Sequence, residues 1–344
     1  MAPKIYITQD PVLEDVLASA SSKLADLGWT VVPGPQITPG VPLRLSAEQR
    51  RTFLDGVDII VASSRARISE EDLDASANLR ALVFPSIGVD AVDLGACAER
   101  ELIVANGATA ENFLAMSEAT VMMMLVLLYQ LHRSERILRE NQPRPAQMYA
   151  RMLRGRTIGL IGLGRIGGGV VERLAGWDAK EILVYDPYLP ADKAPANVRM
   201  VELDELLVGS DIVSLHVPLS DQTRGLIGEK ELRAMKPDAI VINTSRGGLI
   251  DEEALVRVIQ SGHLSGVGLD VTATEPLPAD HPLRTLDRVI LTPHILGHTV
   301  DLYSVMPDVL VGNATRIMRG EQPLYTRNPE VLDAWAKRLE SLNG

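Results

Sequence analysis

The residue types that could do chemistry gather in the second half of the sequence, each shortly after a short apolar run. His294 follows Val289–Leu291, and Arg246 follows Ala239–Ile242 in a loop that reads Thr-Ser-Arg-Gly-Gly. An imidazole titrates near neutrality and suits general acid–base catalysis. A guanidinium can bind a carboxylate through two parallel hydrogen bonds. These two residues therefore predict proton transfer beside a carboxylate-binding group.

Glu275, in the segment Ala-Thr-Glu-Pro-Leu, is the candidate partner for His294. A carboxylate beside an imidazole orients the ring and favours its protonated form. A surface turn with Glu before Pro explains the same segment equally well. His298 stands four residues after His294 and could form a metal pair with it, but no third ligand pattern accompanies the two, and Gly297 lies inside the spacing. We therefore expect no metal site.

A glycine-rich loop directly follows the predicted strand Thr157–Ile161 and opens a helix, which is the context that dinucleotide binding requires. Gly162 permits a tight turn, Gly164 lets a pyrophosphate approach the backbone, and Gly167 lets helix and strand pack closely. The helix N-terminus adds free N–H groups and a positive dipole for the phosphates. Two further glycines follow at once, and because an interior glycine costs a helix about 1 kcal/mol relative to alanine, we expect a packing reason for them.

Asp186 stands at the end of the next strand, in the sequence Val-Tyr-Asp-Pro-Tyr. A carboxylate at this position can accept hydrogen bonds from the adenosine ribose diol, and it repels a 2′-phosphate. No arginine follows within Pro187–Leu189 to hold such a phosphate. The segment therefore favours NAD over NADP, although a plain turn Asp before Pro remains an alternative.

The elements that must position these residues alternate between Val- and Ile-rich strands and helices, which predicts two parallel sheets covered by helices on both faces. A long helical stretch is expected from about Glu111 to Glu140. Six strands in the second block would complete a doubly wound sheet. The predicted strands are Lys4–Ile7, Val57–Val61, Ala81–Phe84, Leu102–Val104, Thr157–Ile161, Ile182–Tyr185, Ile212–Leu215, Ala239–Ile242, Gly266–Leu269 and Val289–Leu291.

Ligands of a parallel sheet bind beyond the carboxyl ends of its strands. His216, Thr244 and Asp270 all follow predicted strands closely, so we expect them near the same edge of the second sheet. His216 could equally line a pocket without contacting a ligand. Asp251 is interpreted as the N-cap of the helix that it opens.

Corresponding positions in the first block also carry polar groups. Arg65 follows Val57–Val61, Asn106 follows Leu102–Val104, and the backbone amides of the loop around Gly88 could cradle an anion.

Composition narrows the classes of function. The chain has 344 residues and a formal net charge of −11, so it suits two domains and is a poor general binder of nucleic acid or anionic membrane. A single cysteine, Cys97, permits no internal disulfide, and no signal peptide is visible, which predicts a cytoplasmic protein. The apolar run Val121–Tyr129 is too short to span a bilayer and is interpreted as part of a buried helix.

Taken together, the motifs resemble the NAD-dependent D-isomer-specific 2-hydroxyacid dehydrogenases, the group that includes phosphoglycerate dehydrogenases and hydroxypyruvate reductases. The resemblance runs from about Val57 to Arg319 and rests on SIGVDAVDL, GLIGLGRIGGG, VYDPY, LHVPLSDQTRGLIG, VINTSRGGLIDEEAL, GLDVTATEPLP and LTPHILGH. It implies a Rossmann NAD domain at 106–295 inserted into a flavodoxin-like substrate domain at 1–105 and 296–330, with a helical tail at 331–344. It also implies a homodimer that uses NAD and a small anionic 2-oxoacid or 2-hydroxyacid.

The resemblance further implies roles for individual residues. Arg246 would bind the substrate carboxylate and polarise the carbonyl, His294 would be the general acid/base, and Glu275 would pair with it. Substrate contacts would come from Ile87 and Gly88, with Arg65 and Asn106 as further candidates. The implied cofactor contacts are Arg165, Ile166, Asp186, Thr244 and Asp270, besides Gly162, Gly164, Gly167, His216 and Gly297.

Two other functions remain open on the same scaffold. An NAD(H)-sensing corepressor of the C-terminal-binding-protein kind keeps the same site residues, although the compact acidic chain argues against it. Dehydrogenation of another small anion such as phosphite is the other alternative, whereas the Glu275–His294 pair disfavours formate. The segment Met116–Glu118 departs from the Val-Ala-Glu pattern that the family usually shows, which leaves the identity of the substrate undetermined.

Overall fold

The structure, a computed structural model, describes residues 2–343 and gives that part of the chain twelve β-strands and twelve α-helices. The strands are β1 (Lys4–Gln9), β2 (Thr30–Gln36), β3 (Ile59–Val61), β4 (Ala81–Val83), β5 (Ile103–Ala105), β6 (Thr157–Ile161), β7 (Glu181–Tyr185), β8 (Arg199–Met200), β9 (Ile212–Leu215), β10 (Ile240–Asn243), β11 (Gly266–Leu269) and β12 (Val289–Leu291). The helices are α1 (Glu14–Asp26), α2 (Ala47–Phe53), α3 (Glu70–Leu73), α4 (Leu94–Glu99), α5 (Ala110–Leu128), α6 (Leu131–Arg139), α7 (Arg165–Arg173), α8 (Leu203–Gly209), α9 (Glu229–Ala234), α10 (Glu252–Gln260), α11 (Val300–Met318) and α12 (Leu332–Asn343).

The chain divides into two units, each built on its own sheet. The first unit comprises the residues up to Asn112 and those from Thr299 onward, and the second is Phe113–His298. Both divisions fall a few residues later than the sequence predicts. Asn106 belongs to the first unit because its backbone N–H donates to the Tyr325 carbonyl at 3.1 Å.

The first sheet is parallel throughout and has the order β2-β1-β3-β4-β5, which is the flavodoxin-like order. The expected fold class is therefore confirmed for this unit. Strand β2 is missing from the sequence prediction because Pro33 and Pro35 interrupt its pattern. Proline is tolerated on an edge strand, where one side of the backbone needs no partner, and β2 is such an edge.

The second sheet is also parallel and has the order β12-β11-β10-β9-β6-β7-β8. The six strands in the order β8-β7-β6-β9-β10-β11 have the Rossmann strand order. Strand β12 extends that sheet by one further strand. The predicted count of six strands is one short, because β8 has only two residues and shows no sequence pattern. The strand order reverses between β6 and β9, so the glycine-rich loop and His216 both follow strands at this switch point.

The predicted helical stretch from about Glu111 to Glu140 is present, but it is divided into two helices. Helix α5 ends at Leu128 and α6 begins at Leu131, with Gln130 between them at a φ of 51°. No glycine or proline marks the break. The Gln130 side chain holds it instead, since its amide donates to the Tyr149 carbonyl at 2.9 Å and its oxygen accepts from Arg133 at 2.6 Å.

Helix α5 is long and apolar enough to cross a membrane by length and composition alone, with 19 residues. However, 56% of its most apolar window is buried inside the protein. Met123, Met124 and Leu127 pack in the same core as Ile158 of β6. We therefore interpret α5 as a core helix of the second unit, as the buried run in the sequence indicates.

The final helix is not a separate tail. Val331, Trp335 and Leu339, spaced four apart as the sequence predicts, are 5%, 2% and 4% exposed and belong to the core of the first unit. The Trp335 indole also donates to the Arg80 carbonyl at 2.9 Å. Cys97 lies fully buried in α4 of the same unit, where burial raises the pKa of its thiol to about 12.

This packing predicts that Trp335→Ala destabilises the first unit by about 3–5 kcal/mol, because a large buried side chain and its hydrogen bond are both lost. Urea unfolding followed by circular dichroism would measure the effect. Trp177 is 43% exposed, so Trp177→Ala is the matched control and should cost much less. A Trp335→Ala protein with the unfolding midpoint of the wild type would contradict the assignment of α12 to the core.

Candidate active site

The glycine-rich loop between β6 and α7 has the geometry that its sequence predicts. Gly162 has a φ of 94°, and a Cβ atom added there would lie 2.9 Å from the His216 carbonyl oxygen. A Cβ on Gly167 would lie 2.4 Å from the Gly162 carbonyl oxygen. By contrast, nothing lies within 4 Å of a Cβ added to Gly164, the N-cap of α7. The loop is therefore packed tightly on its inner side and open above the helix N-terminus.

Of the two glycines that follow Gly167, one has the packing reason that the sequence analysis expects. A Cβ on Gly169 would lie 2.4 Å from the Ser117 hydroxyl, whereas nothing lies within 4 Å at Gly168. Ser117 donates to the Ile166 carbonyl at 3.1 Å, so α5 contacts the first turn of α7. This contact involves the Met116–Glu118 segment that departs from the family pattern.

Charged side chains stand on either side of the loop. One carboxylate oxygen of Asp186 accepts from the Leu163 N–H at 2.9 Å, and the other accepts from the Tyr188 N–H at 3.0 Å. Asp186 is thus both a turn residue and a contact of the glycine-rich loop. The guanidinium carbon of Arg165 lies 4.8 Å from the centre of the Phe113 ring, which places a positive charge beside the N-terminus of α7.

His216 follows β9 and lies next to the glycine-rich loop. The residue is partly exposed, but both of its ring nitrogens are buried and have no hydrogen-bond partner among residues 2–343. Burial lowers the pKa of His216 to about 4, so the imidazole is neutral at physiological pH. Unpartnered buried polar atoms are costly. The two ring nitrogens of His216 are therefore suited to hydrogen-bond with a polar group of a bound ligand.

The loop after β10 holds the backbone of Arg246. The Asn243 side chain accepts from the Ser245 N–H at 3.0 Å and donates to the Arg246 carbonyl at 2.8 Å. The Ser245 hydroxyl donates to the Leu215 carbonyl at 2.8 Å, which ties this loop to the end of β9. The Arg246 guanidinium is therefore carried by a loop with little freedom to move.

Glu275 and His294 form the pair that the sequence suggested. His294 Nδ1 lies 2.9 Å from Glu275 Oε2, and the two side chains are 46% and 41% exposed. Partial burial raises the pKa of Glu275, but the hydrogen bond and charge of His294 outweigh it, with smaller help from the Thr272 N–H and the Arg246 charge. The pKa of Glu275 is therefore below its ordinary value, so Glu275 is a carboxylate at neutral pH.

Asp270 holds the turn that presents His294. His294 has a φ of 53°, a left-handed conformation that is uncommon for a residue with a side chain. The Asp270 carboxylate accepts from the Thr292 hydroxyl at 2.6 Å and from the Ile295 N–H at 3.0 Å, and its carbonyl accepts from the His294 N–H at 2.8 Å. Burial raises the pKa of Asp270, and these hydrogen bonds oppose that rise. The Asp270 carboxylate is thus already hydrogen-bonded within the protein. Its predicted contact with the cofactor stays a prediction.

The remaining candidates of the second unit lie near these groups. The Thr244 hydroxyl is 3.3 Å from that of Thr120, a residue of α5 that the sequence analysis missed. The sequence does carry a signal for Thr120. Ser117 and Thr120 are two hydroxyl residues, three apart, in a mostly apolar helix. A Cβ added to Gly297 would lie 3.0 Å from the Met116 sulfur, so this glycine is also closely packed. Within the part of the chain that the structure describes, no cluster of His, Cys, Asp and Glu suits a metal ion.

Four predicted substrate-binding residues belong to the first unit. Arg65 Nη1 lies 2.9 Å from the carboxylate of Asp10, which is fully buried. Asn106, only 2% exposed, donates through its side chain to the Ile87 carbonyl at 2.6 Å and so holds the loop that contains Gly88. Asn106 therefore supports that loop, and Arg65 has a partner within its own unit. The substrate contacts predicted for both residues stay predictions.

These features define a dinucleotide-binding α/β fold with a carboxylate–imidazole pair in the loops that follow its strands. Residues 121–295 match the family model described as "D-isomer specific 2-hydroxyacid dehydrogenase, NAD binding domain". A glyoxylate reductase of Thermofilum pendens is 38% identical over 283 residues, which cover 80% of this chain and 82% of that protein. The chain belongs to the D-isomer-specific 2-hydroxyacid dehydrogenase family, and it is an NAD-dependent enzyme.

Other relatives extend the comparison. A D-3-phosphoglycerate dehydrogenase of Archaeoglobus fulgidus is 35% identical over 256 residues, and the match covers 74% of this chain but only 48% of that protein. The crystal structure of a D-lactate dehydrogenase from Aquifex aeolicus, complexed with NAD and lactic acid, is 27% identical with a TM-score of 0.79. That match covers 92% of this chain and 96% of the other.

The residues present fit NAD. The backbone above Gly164 is open where a pyrophosphate would approach, and the His216 nitrogens offer polar atoms without partners in the described chain. Asp186 supplies a carboxylate at the end of β7, the position suited to a ribose diol. Arg165 adds a positive charge beside the same helix N-terminus.

The buried imidazole of His216 predicts a stability that depends on pH. Its folded pKa of about 4 lies below the ordinary value of 6.5, so its contribution is complete above pH 6.5 and is lost as the pH falls toward 4. The loss amounts to at most about 3 kcal/mol. In urea titrations of the cofactor-free protein, His216→Phe should therefore gain stability relative to the wild type between pH 7 and pH 5.

The half-buried His263 provides a control for the loss of a histidine as such. His263→Gln should not produce the same relative gain. If the stability difference between His216→Phe and the wild type were identical at pH 7 and pH 5, the neutral buried state of His216 would be wrong.

Proposed function

We propose that the protein interconverts a small 2-oxoacid and the corresponding D-2-hydroxyacid, with His294 as the general acid/base. The observation that carries this proposal is the 2.9 Å contact between His294 Nδ1 and Glu275 Oε2. It leaves Nε2 as the nitrogen that can exchange a proton with the substrate oxygen. NAD, when bound, accepts or supplies the hydride.

The chain's own residues have separate roles in this proposal. During reduction, His294 donates a proton from Nε2 to the carbonyl oxygen, and Glu275 stabilises the imidazolium that is present before the transfer. Arg246 binds the substrate carboxylate and stabilises the negative charge that develops on the oxygen. Asp270 keeps the imidazole in place through the turn that it binds.

We propose that the substrate carries a single carboxylate. The Arg65 guanidinium is already paired with the buried Asp10, so a second anionic group on the substrate would have to compete with that carboxylate. Among the relatives, the glyoxylate reductase is matched over most of its length, whereas the chain spans about half of the phosphoglycerate dehydrogenase. Glyoxylate and hydroxypyruvate are therefore the substrates that we propose to test before phosphohydroxypyruvate.

We predict that His294→Gln lowers kcat for 2-oxoacid reduction by about 10²–10⁴-fold, because the general acid is lost. NADH binding, followed by the fluorescence of the reduced nicotinamide, should stay close to that of the wild type. The assay uses micromolar protein with glyoxylate, hydroxypyruvate, phosphohydroxypyruvate, bulkier 2-oxoacids and, in the oxidative direction, phosphite.

The same panel separates the alternatives. A wild-type protein that binds NADH tightly but turns over no member of the panel would favour the NAD(H)-sensing function. Turnover of phosphite alone would favour dehydrogenation of that anion. Near-wild-type 2-oxoacid reduction by His294→Gln would show that another group transfers the proton.

We further propose that the protein is a cytoplasmic homodimer. The reduced, buried Cys97 suits a reducing compartment. The α6 segment and the connector after it expose Leu138, Tyr149 and Met152 by 82%, 75% and 61%, which is apolar surface that a second copy would cover.

Leu138→Glu should therefore weaken self-association, measured by sedimentation velocity across a range of protein concentrations. Val41, which is 59% exposed on the first unit, provides the matched control, since Val41→Glu introduces the same charge on a different surface. The wild type sedimenting as a monomer, or an equal effect of the two variants, would contradict the proposed interface.

A further inference from the structure

A second carboxylate–imidazole pair lies close to the first. Glu252 Oε2 is 3.8 Å from His281 Nε2, and the two side chains are 11% and 22% exposed. Glu252 begins helix α10, directly after the N-cap Asp251. The role proposed above for the site uses neither residue.

The two pairs share one short turn. The Thr272 N–H donates to Glu275 Oε1 at 3.2 Å, and the next amide, that of Ala273, donates to Glu252 Oε1 at 2.6 Å. Consecutive backbone amides therefore hold the two carboxylates. Gly247 closes the other side of the turn, since an added Cβ would lie 2.0 Å from the Thr272 carbonyl carbon. The turn cannot shift without disturbing the neighbouring Arg246 loop.

The charges in this cluster influence one another. Burial raises the pKa of Glu252, the Ala273 N–H and His281 oppose that rise, and the charge of Glu275 adds to it. Glu275 in turn faces His294 and Arg246, which favour its ionised form, and the Asp270 carboxylate also faces His294. A negative charge on Glu252 therefore adds to the field that favours a proton on His294.

We propose that Glu252, held by the Ala273 N–H and faced by His281, is a positioning residue whose negative charge adds to that of Glu275 and so keeps His294 protonated toward higher pH. This inference rests on the proposed acid/base role of His294 and deepens it. Glu252 contacts neither substrate nor reacting atoms. Its effect is to extend the pH range over which the general acid is ready for 2-oxoacid reduction.

Glu252→Gln is the decisive variant because the amide retains an acceptor for the Ala273 N–H and removes only the charge. The pH at which kcat/KM for 2-oxoacid reduction falls to half should move down by about 0.5 unit, which is roughly a threefold loss on the alkaline side. The dissociation constant of NADH should not change. Glu253→Gln, on the adjacent exposed position of α10, removes the same charge and should leave the profile unchanged.

A second readout does not involve turnover. In the cofactor-free protein, the imidazole resonances of His294, assigned by their loss in His294→Gln, should titrate at lower pH in Glu252→Gln than in the wild type. A purely structural role for Glu252 would spare Glu252→Gln and damage only Glu252→Ala. Unchanged titration and an unchanged pH profile in Glu252→Gln would therefore overturn the inference.

Failure of this inference and failure of the proposed function are distinguishable. If His294→Gln abolishes reduction while Glu252→Gln retains the wild-type profile, only the role of Glu252 is wrong. If His294→Gln remains active, the acid/base assignment itself fails, and the role proposed for Glu252 fails with it.

Discussion

The buried carboxylate of Asp270 is the constraint on which the site depends. It accepts hydrogen bonds from Thr292 and Ile295, and its own carbonyl binds the His294 amide. These bonds stabilise a left-handed backbone at His294, a conformation that costs free energy in isolation. The turn that Asp270 holds presents the imidazole to Glu275. Asp270 itself transfers no proton in the reaction that we propose.

Backbone amides also hold several of the other polar side chains. Asp186 binds the Leu163 amide, Glu275 binds that of Thr272, and Asn243 bridges the two ends of the Arg246 loop. The glycines serve the same end, because Gly162 and Gly247 let backbone approach backbone at distances that any side chain would prevent. The loops that carry the site residues follow the carboxyl ends of the strands, and close backbone packing keeps these loops rigid.

Much of this arrangement could be predicted from the sequence, because strong periodicity and strand-end chemistry are local signals. The bounds of β6, β9, β11 and β12 match the predicted ones. The residue types of His294, Glu275 and Arg246 and their positions in the sequence identify them as candidates. Strand β2 and the break at Gln130 were missed, since prolines obscured the first and a side-chain hydrogen bond rather than a glycine or proline holds the second. The sequence analysis also does not identify Glu252. Only the folded turn shows that Glu252 accepts from the Ala273 amide, next to the Thr272 amide that donates to Glu275.

The charge distribution of the site depends on which groups burial keeps neutral and which charged groups have partners within the protein. Burial favours the neutral form of His216 and opposes ionisation of Asp270, while Arg165 lies against an aromatic ring. The charged groups that act on Glu275 are His294 and Arg246, and Glu252 accepts from the backbone amide next to the one that Glu275 binds. A chain with a net charge of −11 can thus bind anionic ligands, because helix N-termini and a few cations act locally where the surface charge is screened.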